Sequence, residues 1–312
     1  MSSATSVGRR SEVRRPRALL TGRNGFTGQY VARELEAAGY EVVGLSDRQE
    51  SVGTASITAN LLDREAMHAA VATVQPDVVL HLAAISFVAH DDVDEIYRVN
   101  VLGTRNLLEA LAQAPRRPEI VVLASSANIY GNAHVEPITE DTPSAPANDY
   151  AVSKLAMEHM ARLWMDRLPI VITRPFNYTG IGQSTQFLIP KIVDHFKRGD
   201  RVIELGNTLV ARDFSDVRDV AKAYAAIVKT SPVGQTLNIC SGVGYSLGDV
   251  LDMMAEIAGY RIEVRVNPAF VRSNEVARLV GSHAQLVTLT GWHAQNTLLQ
   301  TLAWQYSGQP TI

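Results

Sequence analysis

Cysteine is nearly missing from this chain: Cys240 stands alone among 312 residues. An internal disulfide framework is therefore excluded, and the cytoplasm is the expected setting. An excess of positive charge is missing too. Lys and Arg number 29 against 32 Asp and Glu, a net charge of −3, so nothing argues for a nucleic acid partner. No apolar run reaches the ~18 residues a membrane helix needs, so no membrane partner is expected. The eight histidines never fall at a metal-ligand spacing such as H-E-x-x-H, and no metal is expected. What is present is ordinary for a globular protein: 46% hydrophobic and 20% charged residues, which excludes disordered, collagen-like and coiled-coil classes.

The first residues are rich in Ser and Arg. Arg9-Arg10 and Arg14-Arg15 suggest a twin-arginine signal, but only Ala18-Leu19-Leu20 follows as an apolar stretch. Residues 1–16 therefore read as a disordered, solvated arm. Beyond them, short β-like runs alternate with helical patterns. Arg17–Thr21, Glu41–Leu45, Ser56–Ala59, Val78–Leu82, Ile120–Ala124 and Ile170–Thr173 read as strands. Thr27–Ala38, Asp63–Val74, Asp92–Ala114 and Asp149–Arg167 read as helices. That alternation predicts an α/β protein built of parallel βαβ units with right-handed crossovers. Val233–Cys240 reads as a strand that returns to the sheet, and the less regular stretch after Pro175 as a smaller lobe.

Thr21-Gly22-Arg23-Asn24-Gly25-Phe26-Thr27-Gly28 falls between the first strand and the first helix. Glycines there allow a tight turn, and the helix N-terminus offers N–H groups to a pyrophosphate. The spacing is G-x-x-G-x-x-G, not G-x-G-x-x-G, so the loop carries weight only through its place after strand one. The end of the second strand bears on the cofactor. Asp47 suits a ribose hydroxyl, whereas Ser46 with Arg48, and Arg23 in the loop, suit a 2′-phosphate. NADP(H) is favoured on this count, with NAD(H) as the alternative.

Tyr150 and Lys154 stand four apart at the start of a helix, on one face. A phenol near pKa ~10 is a poor proton donor at neutral pH. A nearby ammonium is expected to pull it down. Ser125-Ser126, at the end of the fifth strand, could offer a hydroxyl to a carbonyl.

In chain order, the glycine loop, His81-Leu-Ala-Ala84, Asn100-Val-Leu-Gly-Thr104, Ser125-Ser126…Tyr130-Gly131, Tyr150…Lys154 and Arg174-Pro-Phe-Asn177 together resemble the extended short-chain dehydrogenase/reductase family. The resemblance spans nearly the whole chain from Ala18. It implies a Rossmann-type, doubly wound parallel sheet in an NAD(P)-binding domain over 17–175 with a returning segment at about 213–242, and a smaller nucleotide-sugar lobe over 176–212 and 243–312. It also implies a catalytic set of Ser126, Tyr150 and Lys154. Carried over position by position, cofactor contacts fall on Gly22, Arg23, Gly25, Phe26, Thr27, Gly28, Ser46, Arg48, Asn60, Leu61, Leu82, Ala83, Ala84, Asn100, Tyr150, Lys154 and Pro175. Asn60 replaces the Asp usual in the family, and His81 reads as a satisfied core histidine.

The second half is similar to the GDP-mannose branch, through Leu205-Gly-Asn207, Arg212-Asp-Phe-Ser-Asp-Val217, Arg272-Ser-Asn-Glu275-Val276, Gly281-Ser282 and Thr290-Gly-Trp292. Ser273 departs from the branch's usual proline. Asn177-Tyr-Thr-Gly-Ile-Gly-Gln183 and Gly281-Ser-His-Ala-Gln-Leu286 look most like the reductases that make GDP-D-rhamnose. The resemblance implies substrate contacts from Ser86, Asn128, Asn177, Gln183, Leu188, Lys191, Arg212, Arg272 and Glu275. Arginine forks do suit phosphate oxygens better than lysines do. The related 4,6-dehydratases carry a Glu two residues after the catalytic hydroxyl, where this chain has Asn128. The implied activity is NADPH-dependent reduction of a C4 ketone on a GDP-6-deoxyhexose. A 4-epimerase with tightly bound NAD, and a reductase of opposite C4 stereochemistry giving GDP-6-deoxy-D-talose, stay open. A cofactor-sensing binding protein is disfavoured by the intact Ser-Tyr-Lys set. Leu102, Leu107, Leu108, Leu155, Met160 and Leu163 exceed one apolar stripe on their helices. The family implies a homodimer through a four-helix interface there, and core packing is the alternative.

Overall fold

The computed structural model describes residues 14–48, 55–86, 92–207, 210–270 and 276–308. The first half lays down β1 (Arg17–Thr21), α1 (Phe26–Ala37), β2 (Glu41–Ser46), β3 (Ser56–Thr58), α2 (Arg64–Val74) and β4 (Val78–His81). There follow α3 (Val93–Tyr97), a π-helical turn (Arg98–Gly103), α4 (Thr104–Gln113), β5 (Ile120–Ala124), α5 (Asp149–Arg162) and β6 (Ile170–Pro175). The second half adds β7 (Asn177–Thr179), α6 (Leu188–Arg198), β8 (Val202–Leu205), β9 (Ala211–Asp216), α7 (Val217–Thr230) and β10 (Thr236–Ile239). It closes with β11 (Gly244–Ser246), α8 (Leu247–Ala258), β12 (Glu263–Val266), β13 (Arg278–Leu279), α9 (Ala284–Thr290) and α10 (Leu298–Ser307).

The central sheet has seven strands, ordered β10-β6-β5-β4-β1-β2-β3, all parallel. This is the predicted doubly wound architecture. Parallel strands covered on both faces are apolar on both parities, and β1 shows why. Its Ala18 and Leu20 pack with Val31 and Leu35 of α1 and Tyr224 of α7 on one face. Leu19, between them, packs with Met67 of α2, Leu108 of α4 and Met157 of α5 on the other. The returning strand β10 pairs with β6. The remaining strands form two small sheets, β7 and β11-β9-β13 in one and β8 with β12 in the other.

Local differences from the sequence reading have physical causes. The helix read over Asp92–Ala114 is three pieces, because a π turn inserts at Arg98–Gly103. The helix read to Arg167 ends at Arg162, and β4 ends at His81 rather than Leu82. Leu107 and Leu108 are fully buried inside the sheet-facing core, so they are core residues and not an outer face. Leu102 and Leu163 of the same set are exposed. Arg14, read into the arm, pairs with the buried Asp77 at 2.9 Å. Among the described residues no helix is long and apolar enough to cross a membrane, and no group of three His, Cys, Asp or Glu could hold a metal.

Candidate active site

In an open parallel sheet the crevice lies at the carboxyl ends of the strands, where the strand order reverses. Here β1 is flanked by β2 on one side and β4 on the other, so the crevice opens above β1 and β4. The glycine loop sits there. Gly22 has φ +73°, and a Cβ on it would lie 2.8 Å from the backbone N of Ala83. A Cβ on Gly28 would lie 2.1 Å from the carbonyl of Gly22. Both positions thus pack backbone on backbone, which only glycine permits. Gly25 caps α1 with no side chain, and its first turn has no acidic residue. The N-terminal N–H groups of α1 are therefore left for an anion, and this cradle fits a dinucleotide pyrophosphate.

A chain of hydrogen bonds fixes the β4 side of the crevice. The Thr104 hydroxyl donates to the Asn100 carbonyl at 2.8 Å, so its oxygen accepts from His81 Nε2 at 2.9 Å. His81 Nδ1 then accepts from the Thr21 hydroxyl at 2.7 Å, whose oxygen accepts the Ala83 N–H at 3.1 Å. Burial pushes the His81 pKa down to about 3, with the Lys154 charge adding to the effect, so the imidazole is neutral. His81 is the satisfied core histidine read from the sequence. Asn100 donates both amide hydrogens, to Ile85 O at 3.1 Å and Ser153 Oγ at 3.0 Å, and accepts the Ile85 N–H at 3.0 Å. Its donors are spent on Ile85 and on Ser153 of α5, so it ties the 82–86 segment to α5 and acts on the crevice through that segment.

Ser126, Tyr150 and Lys154 come together, all buried. Asn148 caps α5 by accepting the Ala151 N–H at 2.9 Å, which starts the helix at Asp149, one residue before Tyr150. Tyr150 and Ser126 share a side-chain hydrogen bond, and Ser126 Oγ also accepts the Asn128 N–H at 3.2 Å. Lys154 Nζ donates to the Ala124 carbonyl at 2.8 Å. The expected lowering of the phenol does not occur. Burial pushes Tyr150 up to about 12; the Ser126 bond lowers it and Tyr178 raises it, while Lys154 points at Ala124. Lys154 itself is pushed down to about 8 by burial, opposed by the charge of Glu158.

Sequence reasoning missed three partners. Glu158, one turn beyond Lys154, is fully buried and takes Arg174 Nε at 2.9 Å and Nη2 at 2.7 Å. Arg174 Nη1 also donates to Tyr130 Oη and the Glu140 carbonyl, both at 2.9 Å. Tyr178 Oη meets the Thr27 hydroxyl at 2.8 Å and its ring stacks on Phe26 at 6.0 Å, tying β7 to α1. Continued i, i+4 spacing from Tyr150 through Lys154 was the available signal for Glu158. Ser125 Oγ is buried without a hydrogen-bond partner beside Ser126.

The cofactor-choice residues divide. Ser46, Asp47 and Arg48 end β2, where Ser46 Oγ accepts the Arg48 N–H at 3.2 Å and both Asp47 and Arg48 are exposed. Arg23 pairs instead with Glu36 at 2.9 Å, near the far end of α1. Asn60 caps its own turn, accepting the Leu62 N–H at 2.8 Å, and Leu61 packs under Gly103. Leu82, Ala83 and Ala84 line the half-buried strand end, and Pro175 ends β6.

The candidate substrate residues are spread over several elements. Ser86 is exposed, and Asn128 is half-buried next to Ser126. Asn177 pairs with Phe214 where β7 meets β9. Gln183 Nε2 donates to the Tyr178 carbonyl at 3.2 Å. Leu188 starts α6, and Lys191 Nζ donates to the Glu204 carbonyl at 3.0 Å and lies 4.6 Å from the Phe270 ring centre. Arg212 donates to the Ala211 carbonyl at 2.8 Å. Its neighbour Asp213 is fully buried and takes Ser241 N, Ser241 Oγ and Gly242 N within 2.8 Å, tying the loop after β10 to β9 beside Arg212. Arg272 and Glu275 lie outside the described residues.

Residues 18–240 match the model of the NAD dependent epimerase/dehydratase family. The chain is 32% identical over 276 residues to a GDP-6-deoxy-D-talose 4-dehydrogenase of Aggregatibacter actinomycetemcomitans, covering 88% of this chain and 90% of that one. It is 36% identical over 238 residues to a GDP-6-deoxy-D-mannose reductase of Pseudomonas aeruginosa, covering 73% and 78%. The solved structure of RMD from Pseudomonas aeruginosa complexed with NADPH has TM-score 0.80 at 31% identity, covering 94% and 98%. A Thermus thermophilus UDP-glucose 4-epimerase in complex with NAD has TM-score 0.84 at 28% identity, covering 93% and 98%.

Proposed function

Because the chain belongs to the NAD dependent epimerase/dehydratase family and is a nucleotide-sugar oxidoreductase, we propose that it reduces the C4 ketone of GDP-4-keto-6-deoxy-D-mannose to GDP-D-rhamnose with NADPH. Bound NADPH supplies the hydride. Ser126 hydrogen-bonds the ketone oxygen and Tyr150 gives that oxygen its proton. A phenol held near 12 keeps its proton at neutral pH and releases it only as the stronger alkoxide base develops. Lys154, near 8, stays charged at pH 7 and holds the cofactor ribose. Residues 17–175 with about 213–242 form the cofactor lobe in this reading, and 176–212 with 243–312 the GDP-sugar lobe. Arg212 and Arg272 take the diphosphate, and Glu275 takes ribose hydroxyls.

The observation that carries the reading is the buried Ser126–Tyr150 contact followed by the amide Asn128, where a dehydratase would need a carboxylate. Such a site protonates the C4 oxygen and has no carboxylate base at position 128 for C5. A second reading has its own support: the talose-named relative favours the opposite C4 configuration. Two chains pair in this account through the face where Val93 of α3, Leu102 of the π turn, Val152 of α5 and Leu163 just past it stand exposed. Titrating GDP, UDP and dTDP by calorimetry tests the substrate class. GDP should bind most tightly, and tighter UDP binding would move the chain to the UDP-sugar epimerases.

A further inference from the structure

We infer that Glu36 is a determinant of cofactor choice: it holds Arg23 away from the mouth of the nucleotide site and so weakens recognition of a 2′-phosphate. The inference rests on the NADPH reading above. Arg23 precedes α1 and Glu36 is its penultimate residue. Between Phe26 and Glu36 lie about 15 Å of helix axis at 1.5 Å per residue. Arg23 Nη2 nonetheless reaches Glu36 Oε1 at 2.9 Å. Both side chains must therefore stretch towards each other along α1, and the guanidinium lies well below the helix N-terminus.

The place where that charge would serve a 2′-phosphate is at the other end. The register of β1 with β2 sets Thr21 opposite Leu45, which puts the start of the glycine loop and Ser46–Arg48 at the same end of the sheet. A 2′-phosphate is read at the end of the second strand. Arg48 stands there exposed, while Arg23 has its fork drawn down the helix. Two further observations mark the pair as a latch and not a structural staple. The Glu36 side chain is 47% exposed against 14% for Arg23, so the carboxylate is readily given back to water. The Arg23 Nε–H is buried with no acceptor, so the latched position leaves one donor of the guanidinium unsatisfied. An anion at the mouth can compete for this arginine, and Glu36 is its competitor.

The test measures binding without turnover. Adenosine 2′,5′-bisphosphate and 5′-AMP are titrated calorimetrically into the wild type, Glu36→Gln, Glu36→Ala and the double variant Arg23→Gln/Glu36→Gln, at low ionic strength. Releasing a half-exposed ion pair should tighten bisphosphate binding roughly two- to fivefold in both single variants. 5′-AMP should bind unchanged, and the double variant should lose the gain. Unchanged or weaker bisphosphate binding in Glu36→Gln and Glu36→Ala would overturn the latch, because Glu36 would then be idle or would present Arg23 to the phosphate. The wild-type preference between the two ligands judges the NADPH reading by itself, since it does not depend on any variant.

Discussion

Replacing Glu158 by Gln should damage this protein more than any loss of an exposed charge pair. Glu158 is wholly buried and its two oxygens take two N–H groups of Arg174, itself 6% exposed, with Arg162 at 3.4 Å. Burial works against the Arg174 charge, and the Glu158 bonds more than offset it. Glutamine keeps the size but withdraws the counter-charge, leaving a cation in a site that excludes water. Breaking one partner of a buried pair costs about 3–5 kcal/mol. For a chain of this size that is a melting point roughly 6–20 °C lower. Urea unfolding at pH 7 reads the loss directly, and the double variant Glu158→Met/Arg174→Leu should recover most of it, because apolar replacements of a whole pair are often neutral. A loss below about 1 kcal/mol, the scale of an exposed pair, would refute the reasoning.

Tyr150→Phe should lower turnover by roughly 10²–10⁴-fold while cofactor affinity holds, and near-normal activity in the purified variant would remove Tyr150 from its role. His81 carries a folded pKa below its unfolded value, so the neutral ring contributes stability above about pH 6.5 that is lost as pH falls towards 3. The stability gap between wild type and His81→Asn should therefore be smaller at pH 4.5 than at pH 7, and a constant gap would contradict it. Gly28→Ala should cost about 1–3 kcal/mol and weaken cofactor binding, because its Cβ would meet the Gly22 carbonyl; an unchanged calorimetric titration with NADPH would show that the loop yields. Incubation with GDP-mannose and NADP⁺ should yield no 4-keto-6-deoxy product, and its accumulation would reveal a base other than position 128.

The sheet was legible because its strands are short apolar runs set between helices of 3.6 periodicity, and β1, β5 and β10 needed nothing more. Tyr150 and Lys154 were legible from spacing. What spacing cannot carry is burial. The phenol rises instead of falling because desolvation at Tyr150 outweighs a lysine that bonds Ala124 O. The π turn at Arg98–Gly103 was hidden for a similar reason: Asn100 reaches across to Ile85 and Ser153, a tertiary demand on an otherwise regular helix. Leu107 and Leu108 read as part of an outer face, with core packing as the alternative, and the placement of α4 on the sheet makes them core. Arg23 sits in a loop whose sequence suggests phosphate, yet its partner Glu36 lies 13 residues on, a distance no motif records.

Incubation of the purified protein with GDP-4-keto-6-deoxy-D-mannose and NADPH, followed by NMR of the sugar product, tests the central claim most directly. The account predicts NADPH consumed in step with a single GDP-6-deoxyhexose whose C4 proton has the coupling pattern of D-rhamnose. A product with the D-talose pattern would contradict the stereochemistry, and no NADPH oxidation alongside interconversion of UDP-hexoses would contradict the reductase itself.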